Sequence, residues 1–275
     1  MDLQNETKQK LYPDEKIKNY PLYFYRIFAK LLSLFIFGVG TVLLSIICLP
    51  VGMLIFRSKQ KLRYHMRHLI YVLFNFFIKF MWLIGVIKVK VDKKDFLKKH
   101  GPAIIVANHP AYLDSPIMIS LLPHTSIIAK AALSKNIMTV VIHMLYMPNS
   151  LPFEEILSRV KEDFKNGNTL VMFPEGTRST PYGQNHFKKG AARISLATGA
   201  PIIPVYIGGT SKAGLGKGDK ILQYNPSKRY IYDIKVKEPV YPEEFKDLPP
   251  AIAAKRFTHK IRDILSDEAN AQYRY

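Results

Sequence analysis

The chain has 275 residues, 48% of them apolar, with 16 Phe, 16 Tyr and a single Cys, and 40 Lys+Arg against 21 Asp+Glu give a formal charge of +19. That length fits one large domain, or one domain with an appendage, and the apolar and aromatic content excludes intrinsic disorder. One Cys excludes a disulfide framework, a Cys-based metal site and a thioredoxin-like pair. A chain this basic has two ordinary partners, nucleic acid or an anionic membrane surface, and the location of the charge decides between them.

The first 20 residues are polar and mixed in charge, a surface arm. Residues 1–100 hold 18 basic and 6 acidic side chains, a balance of +12, and the remaining 175 residues hold 22 and 15, only +7. From Leu31 to Phe56 there are 26 residues without a charge. As a helix that stretch is about 39 Å long, enough to cross a hydrocarbon core of about 30 Å. A second stretch, Leu69 to Ile87, is interrupted by Asn75 and Lys79.

Three basic clusters flank these stretches. Lys16, Lys18, Arg26 and Lys30 precede the first, Arg57, Lys59, Lys61, Arg63 and Arg67 follow it, and Lys88, Lys90, Lys93, Lys94, Lys98 and Lys99 follow the second. Two full spans would carry the middle cluster across the bilayer, against the positive-inside bias. A helical pair that dips into one leaflet and returns keeps all three clusters at the same anionic headgroups. Pro50, Gly38, Gly40 and Gly52 permit the bends this needs. A re-entrant or monotopic pair is therefore predicted, with the membrane's cytoplasmic face as its place. The apolar run starts too far in, is too long and lacks a small-x-small site, so it is no signal peptide. Charge placed around apolar helices, without a helix-turn-helix or RNA-binding signature, argues against nucleic acid.

From about residue 101 short apolar runs alternate with amphipathic ones. Strands are predicted at 103–107, 126–129, 169–173, 202–207 and 230–236, and helices at 115–122, 134–145, 153–166, 187–198 and 249–266. Asp114 or Ser115 suits the cap of the first of these helices, and Gly167 and Gly199 stand where the third and fourth should stop. The alternation predicts an α/β fold, a mostly parallel mixed sheet flanked by helices, with the membrane-embedded two-helix segment at its N-terminus. The organisation read from the sequence is 1–100 for the arm and membrane pair and 101–275 for a catalytic domain.

Two loops carry chemistry. Asn108-His109-Pro110-Ala111-Tyr112-Leu113-Asp114 ends one strand and opens a helix, where ligands of parallel sheets bind. A carboxylate five residues after a His can fold back onto one imidazole nitrogen, fixing the tautomer and leaving the other nitrogen as a base. That is two-thirds of a nucleophilic triad, and a substrate hydroxyl can complete it. The same pair also fits a plain structural role, a capping Asp beside a surface His. Phe173-Pro174-Glu175-Gly176-Thr177-Arg178-Ser179 follows the TLVMF strand. Gly176 allows close backbone approach, Thr177 and Ser179 bring hydroxyls, and Arg178 brings a fork suited to phosphate. Glu175 repels phosphate, so it is expected to hold Arg178 or accept from a substrate hydroxyl.

With these loops, Phe187-Lys188-Lys189-Gly190 and Ile202-Ile203-Pro204-Val205, the chain resembles the glycerolipid acyltransferase family, which includes 1-acylglycerol-3-phosphate acyltransferases. The likeness covers about 101–210 and rests on N-H-x4-D, F-P-E-G-x-R-S, F-K-x-G and an apolar-Pro strand falling in order. A further block of the family, Gly-x-x-(Phe/Tyr)-x-x-Arg, is due near 141–150, where the chain reads VIHMLYMPNS without Gly or Arg. The resemblance implies an O-acyltransferase that moves a fatty acyl group from acyl-CoA or acyl-carrier protein to a lysophospholipid hydroxyl, with 1-acylglycerol-3-phosphate the default acceptor. Another lysophospholipid or an amino-acid lipid is the alternative acceptor, and a non-catalytic lipid-binding relative the alternative class. It implies His109 as base and Asp114 as its partner, with Glu175, Gly176, Thr177, Arg178 and Lys130 binding substrate. No metal or cofactor is implied beyond the thioester co-substrate.

The remaining signals are weaker. The Gly- and Lys-rich stretch 211–220 is expected to be a flexible surface loop. His65, His68, His124, His143 and His186 have no metal-ligand spacing and are expected to be isolated.

Overall fold

The computed structural model describes residues 16–129, 146–180 and 186–273. Among them seven strands form one sheet in the order β1-β7-β6-β2-β5-β3-β4. The strands are β1 (Ile87–Val91), β2 (Ile104–Ala107), β3 (Thr125–Ala129), β4 (Tyr146–Pro148), β5 (Thr169–Met172), β6 (Ile202–Gly209) and β7 (Tyr230–Val236). Every neighbour pair is parallel except β6 with β7, so β1 and β7 run against the other five. This is the mostly parallel mixed sheet expected from the alternation. The helix foreseen at 134–145, Lys130 and His143 lie outside the described residues.

The helices are α1 (Tyr20–Leu43), α2 (Leu49–Ile55), α3 (Lys59–Leu83), α4 (Lys94–Lys99), α5 (Asp114–Leu121), α6 (Phe153–Lys165), α7 (Gly190–Thr198) and α8 (Pro250–Tyr273). Period-2 alternation divides the core. Ile105 and Ala107 of β2 face a layer with Ile117, Met118, Ile70 and Phe77, whereas Ile104 and Val106 face one with Val160, Ile194, Phe257 and Ile261. The central strands β2 and β5 are buried at every position, as a sheet covered on both faces requires. Gly199 takes φ 73° at the end of α7 and so stops that helix where its position in the sequence indicates.

The sheet begins earlier than residue 101. Ile87–Val91 pairs in parallel with β7 as an edge strand, so Lys88 and Lys90 belong to a sheet edge, where charges discourage pairing with another chain. The apolar residues Ile87, Val89 and Val91 alternate with these lysines, a strand pattern hidden because it abuts the second apolar stretch. The strand β4 was likewise not foreseen.

The N-terminal segment is an antiparallel helical hairpin. Phe37 of α1 meets Phe74 and Phe77 of α3, with ring centroids 6.0 and 5.7 Å apart. Between α1 and α2 the helix widens to a π segment, Leu44–Cys48. Pro50 explains it, because proline lacks the N–H for residue 46 and its ring clashes there. Gly52 lets the helices close: a Cβ on it would sit 2.9 Å from Leu62 Cδ1.

The helix α3 is fastened to the sheet domain along its length. Gln60 Nε2 donates to Asn166 Oδ1 at 2.9 Å, Arg67 pairs with Asp163 at 2.6 and 3.2 Å, and Asn75 Nδ2 donates to the Ser120 carbonyl at 2.8 Å. At its other end Tyr25 Oη reaches the Ile84 carbonyl at 3.1 Å, just before β1. Arg67, counted among the surface charges from sequence, is instead 5% exposed beside Asp163, which also accepts from Ser126 and Asn168. The histidines here are not isolated either. His124 stacks on Tyr64 at 4.0 Å and on His68 at 5.4 Å, joining α3 to the turn after α5.

Outward, the hairpin is apolar. Phe24, Phe28, Phe35, Ile46, Ile47 and Leu54 are exposed, Leu54 by 83%. Tyr20–Ile55 and Lys59–Leu83 are both long and apolar enough to cross a membrane.

Candidate active site

Three loops meet at one edge of the sheet. Strands β2, β5 and β6 are parallel neighbours, so the loops at their carboxyl ends must lie side by side. The first carries His109, the second Arg178, and the third is 210–229. This is the edge at which α/β sheets bind ligands.

The first loop is fixed before any substrate arrives. Asn108, buried at the end of β2, donates from Nδ2 to the Ile207 carbonyl at 3.0 Å and accepts from the Ile207 N–H at 2.6 Å. Its side chain thus continues the β2–β6 ladder and sets the direction in which His109 leaves the sheet. His109 Nδ1 lies 2.8 Å from Asp114 Oδ2, and the Ala111 N–H donates to the same oxygen at 2.7 Å. Asp114 is therefore the first residue of α5 and not its cap. There a carboxylate is favoured by the helix dipole, and it reaches back to steer the imidazole. Asp114 is fully buried, and its Oδ1 has no hydrogen-bond partner among the described residues. The imidazole stacks on Phe173 with centroids 4.4 Å apart and keeps 19% of its surface exposed. No hydrogen bond among the described residues engages Nε2, so the ring has one nitrogen anchored and the other left open.

The second loop is stitched to the first. Glu175 is 5% exposed, and its Oε1 accepts from the His109 N–H at 3.1 Å and from Ser179 Oγ at 2.7 Å. The Ser179 N–H donates to the His109 carbonyl at 2.6 Å. A residue expected to bind substrate or hold Arg178 thus holds the His109 backbone. Gly176 has φ 64°, and a Cβ on it would meet Lys188 Nζ at 3.1 Å, so glycine here admits a second cation beside the turn. Thr177 is half-buried.

Arg178 projects across to the third loop. Its Nη1 donates to the carbonyls of Leu215, at 3.1 Å, and Gly216. Nη2 is 3.0 Å from Tyr112 Oη, with the guanidinium 3.7 Å above the Tyr112 ring. The Tyr112 N–H in turn donates to the Leu215 carbonyl at 3.2 Å. The stretch 211–220, expected to be flexible, is held at several points: Asp219 Oδ2 accepts from the N–H groups of Gly214 and Gly216 at 2.9 Å each, and Leu215 is buried.

Lys212, in this loop, was missed by sequence reasoning because nothing in a Gly-Lys-rich stretch marks one lysine as buried. It is 5% exposed and donates to the carbonyls of Gly208 at 3.2 Å, Ile231 at 2.9 Å and Thr210. Burial pushes its ammonium down to about 7, against the pull of Asp114 and Asp233. A buried amine that burial disposes to lose its proton therefore stands within electrostatic reach of Asp114. Tyr112 and Lys188 were quoted only as parts of motifs, and their positions beside Arg178 and Gly176 are visible only in three dimensions.

Comparison with known proteins supplies the context. Residues 88–208 match the family model described as Acyltransferase, a match that opens within β1. A 1-acyl-sn-glycerol-3-phosphate acyltransferase of the Brassica napus chloroplast is 29% identical over 148 residues, 51% of this chain and 41% of that protein. One from Borreliella burgdorferi is 30% identical over 138 residues, 48% of this chain and 55% of the other. The chain spans about half the length of the curated relatives it matches. The crystal structure of the 1-acyl-sn-glycerophosphate acyltransferase from Thermotoga maritima superposes with a TM-score of 0.70 at 24% identity, covering 91% of this chain and 98% of that one. The two share a fold.

Proposed function

We propose that the protein is an O-acyltransferase of lipid synthesis, a reading supported by the match of residues 88–208 to the Acyltransferase family model. It transfers a fatty acyl group from a thioester, acyl-CoA or acyl-carrier protein, to the free hydroxyl of 1-acylglycerol-3-phosphate, giving phosphatidic acid. The observation that carries this reading is the His109–Asp114 contact, 2.8 Å long, with Nε2 facing outward at the edge where the three loops meet.

In this reading Nε2 takes the proton of the acceptor hydroxyl as its oxygen attacks the thioester carbonyl. A carbon–oxygen bond forms, the tetrahedral oxyanion collapses with cleavage of the carbon–sulfur bond, and the imidazolium returns the proton to the departing thiolate. Asp114 stabilises the imidazolium and fixes its tautomer. No enzyme nucleophile is required, in keeping with a chain whose one Cys, Cys48, lies in the helical hairpin. Arg178, Gly176, Thr177 and Lys188 form the side of the site that receives the acceptor's phosphate, with Glu175 as the brace behind them, and the family resemblance adds Lys130 as a further cation for the substrate. The hairpin rests in the cytoplasmic leaflet, so acceptor and product need not leave the lipid phase.

Lipid profiling by mass spectrometry, after expression in cells lacking their own phosphatidic-acid-forming enzyme, tests the reading. Growth rescue with restored phosphatidic acid is the expected result. A different new diacyl lipid without rescue would reassign the acceptor, and an unchanged profile would remove the enzymatic reading.

A further inference from the structure

The loop between β6 and β7 has one property that neither the fold nor the chemistry above requires. At its tip Ile221 and Leu222 are 57% and 64% exposed, although the loop around them is anchored. Behind the tip Tyr224 is buried, the Lys220 N–H donates to Gln223 Oε1 at 3.3 Å, and Asp219 pins Gly214 and Gly216. Two large apolar side chains are thus held outward by a braced backbone.

Their neighbour is the membrane-type hairpin. Lys30 of α1 is fully buried, and its Nζ donates to the carbonyls of Ile221 and Gln223, one on each side of Leu222. The last charge before the apolar run of α1 is therefore a bolt between the helix and this tip. On α1, in the two turns before Lys30, Phe24, Tyr25 and Phe28 are exposed by 62%, 48% and 64%. The apolar tip thus adjoins an apolar helix. Lys217 and Lys220, both exposed, precede the tip, while Asp219 is engaged by the loop's own N–H groups. Apolar side chains flanked by lysines and bolted to such a hairpin are complementary to one partner, an anionic lipid surface.

We propose that this loop is a third membrane contact, after the two apolar helices of the hairpin, with Ile221 and Leu222 entering the headgroup region of an anionic leaflet beside the proposed acyl-transfer site. The inference rests on the reading of the hairpin as membrane-bound. Its consequence is positional. The far end of the same loop holds Arg178 and Tyr112 through the Leu215 and Gly216 carbonyls, so seating the tip sets the depth of the phosphate side of the site.

The test uses the full chain carrying Cys48→Ser, with an environment-sensitive fluorophore on Leu222→Cys, on Ile221→Cys, or on Leu54→Cys in α2, and vesicles of phosphatidylcholine and phosphatidylglycerol. The expected result is a blue shift of all three labels on adding vesicles, with the two tip labels quenched by lipids bearing a nitroxide at the headgroup. If the Leu54 label shifts and both tip labels keep their aqueous emission, the third contact is wrong and the membrane-bound hairpin stands. If all three remain aqueous, the hairpin reading falls and takes the third contact with it.

Discussion

The helical hairpin and the sheet domain treat charge in opposite ways. In the sheet domain apolar side chains form two buried layers, and most charges lie outside. In the hairpin Leu54, Phe35 and Phe76 face outward, while Lys30 and Arg67 are buried against the other domain. A surface that exposes phenylalanine and leucine and hides arginine is matched to a solvent other than water. The site lies where the two regimes meet, since α3 leads into β1 and the loop after β6 touches both α1 and Arg178. Stability in the hairpin therefore depends on a few buried polar bonds, and the proposed catalysis in the sheet domain on a few aimed ones.

The largest effect belongs to the aimed bonds. Asp114→Asn removes the charge that orients His109 and stabilises its imidazolium, and transfer should fall about 10²- to 10³-fold in kcat. The melting temperature should stay near that of the native chain. A loss of kcat that merely followed a loss of fold would erase the contrast between the regions.

Next comes the joint between them. Arg67→Ala leaves Asp163 buried without its cation and should cost about 3–5 kcal/mol in chemical unfolding. Tryptic cleavage at Lys59, Lys61 and Arg63 should rise as α3 loosens. Unchanged protection would mean the pair does not hold the hairpin down.

Lys212 sharpens the comparison through pH. Its folded-state value of about 7 lies below the unfolded 10.5, so between those limits the unfolded chain binds more protons and folding gains stability as pH rises. Below about 7 the group is charged in both states and adds no slope. The stability of the native chain relative to Lys212→Met should therefore grow from pH 7 to 10, by up to about 1.4 kcal/mol per pH unit. Parallel curves for the two proteins would place the lysine in water. The smallest effect is expected at an exposed pair: Glu155→Gln breaks a contact with Arg159 one turn away on α6 and should cost about 0.5 kcal/mol or less.

The sheet domain was largely legible because its signals are local. Short apolar runs, the stops at Gly167 and Gly199, and a His followed five residues later by Asp all lie within one element or loop. The joints were not legible, because each depends on partners far apart in the chain. Arg67 meets Asp163 96 residues away, and Lys30 meets Gln223 193 residues away. In one dimension a lysine beside an apolar run looks the same whether it meets headgroups or buried carbonyls. For the same reason the stretch 211–220 read as slack. Its glycines and lysines are loop-like in composition, and the bonds to Asp219 and Arg178 that hold it, with those of Lys30 just beyond it, appear only when the strands are side by side. Glu175 shows the limit within the site itself: a carboxylate expected to hold Arg178 or accept from a substrate hydroxyl also joins the two loops through its Oε1.

The central claim is that His109 is the base, and single-turnover transfer of a radiolabelled acyl group from its thioester to lysophosphatidic acid by His109→Ala tests it most directly. The account predicts a fall of about 10³-fold or more in the rate, with vesicle binding and melting temperature unchanged. Transfer within a few-fold of the native rate would contradict it.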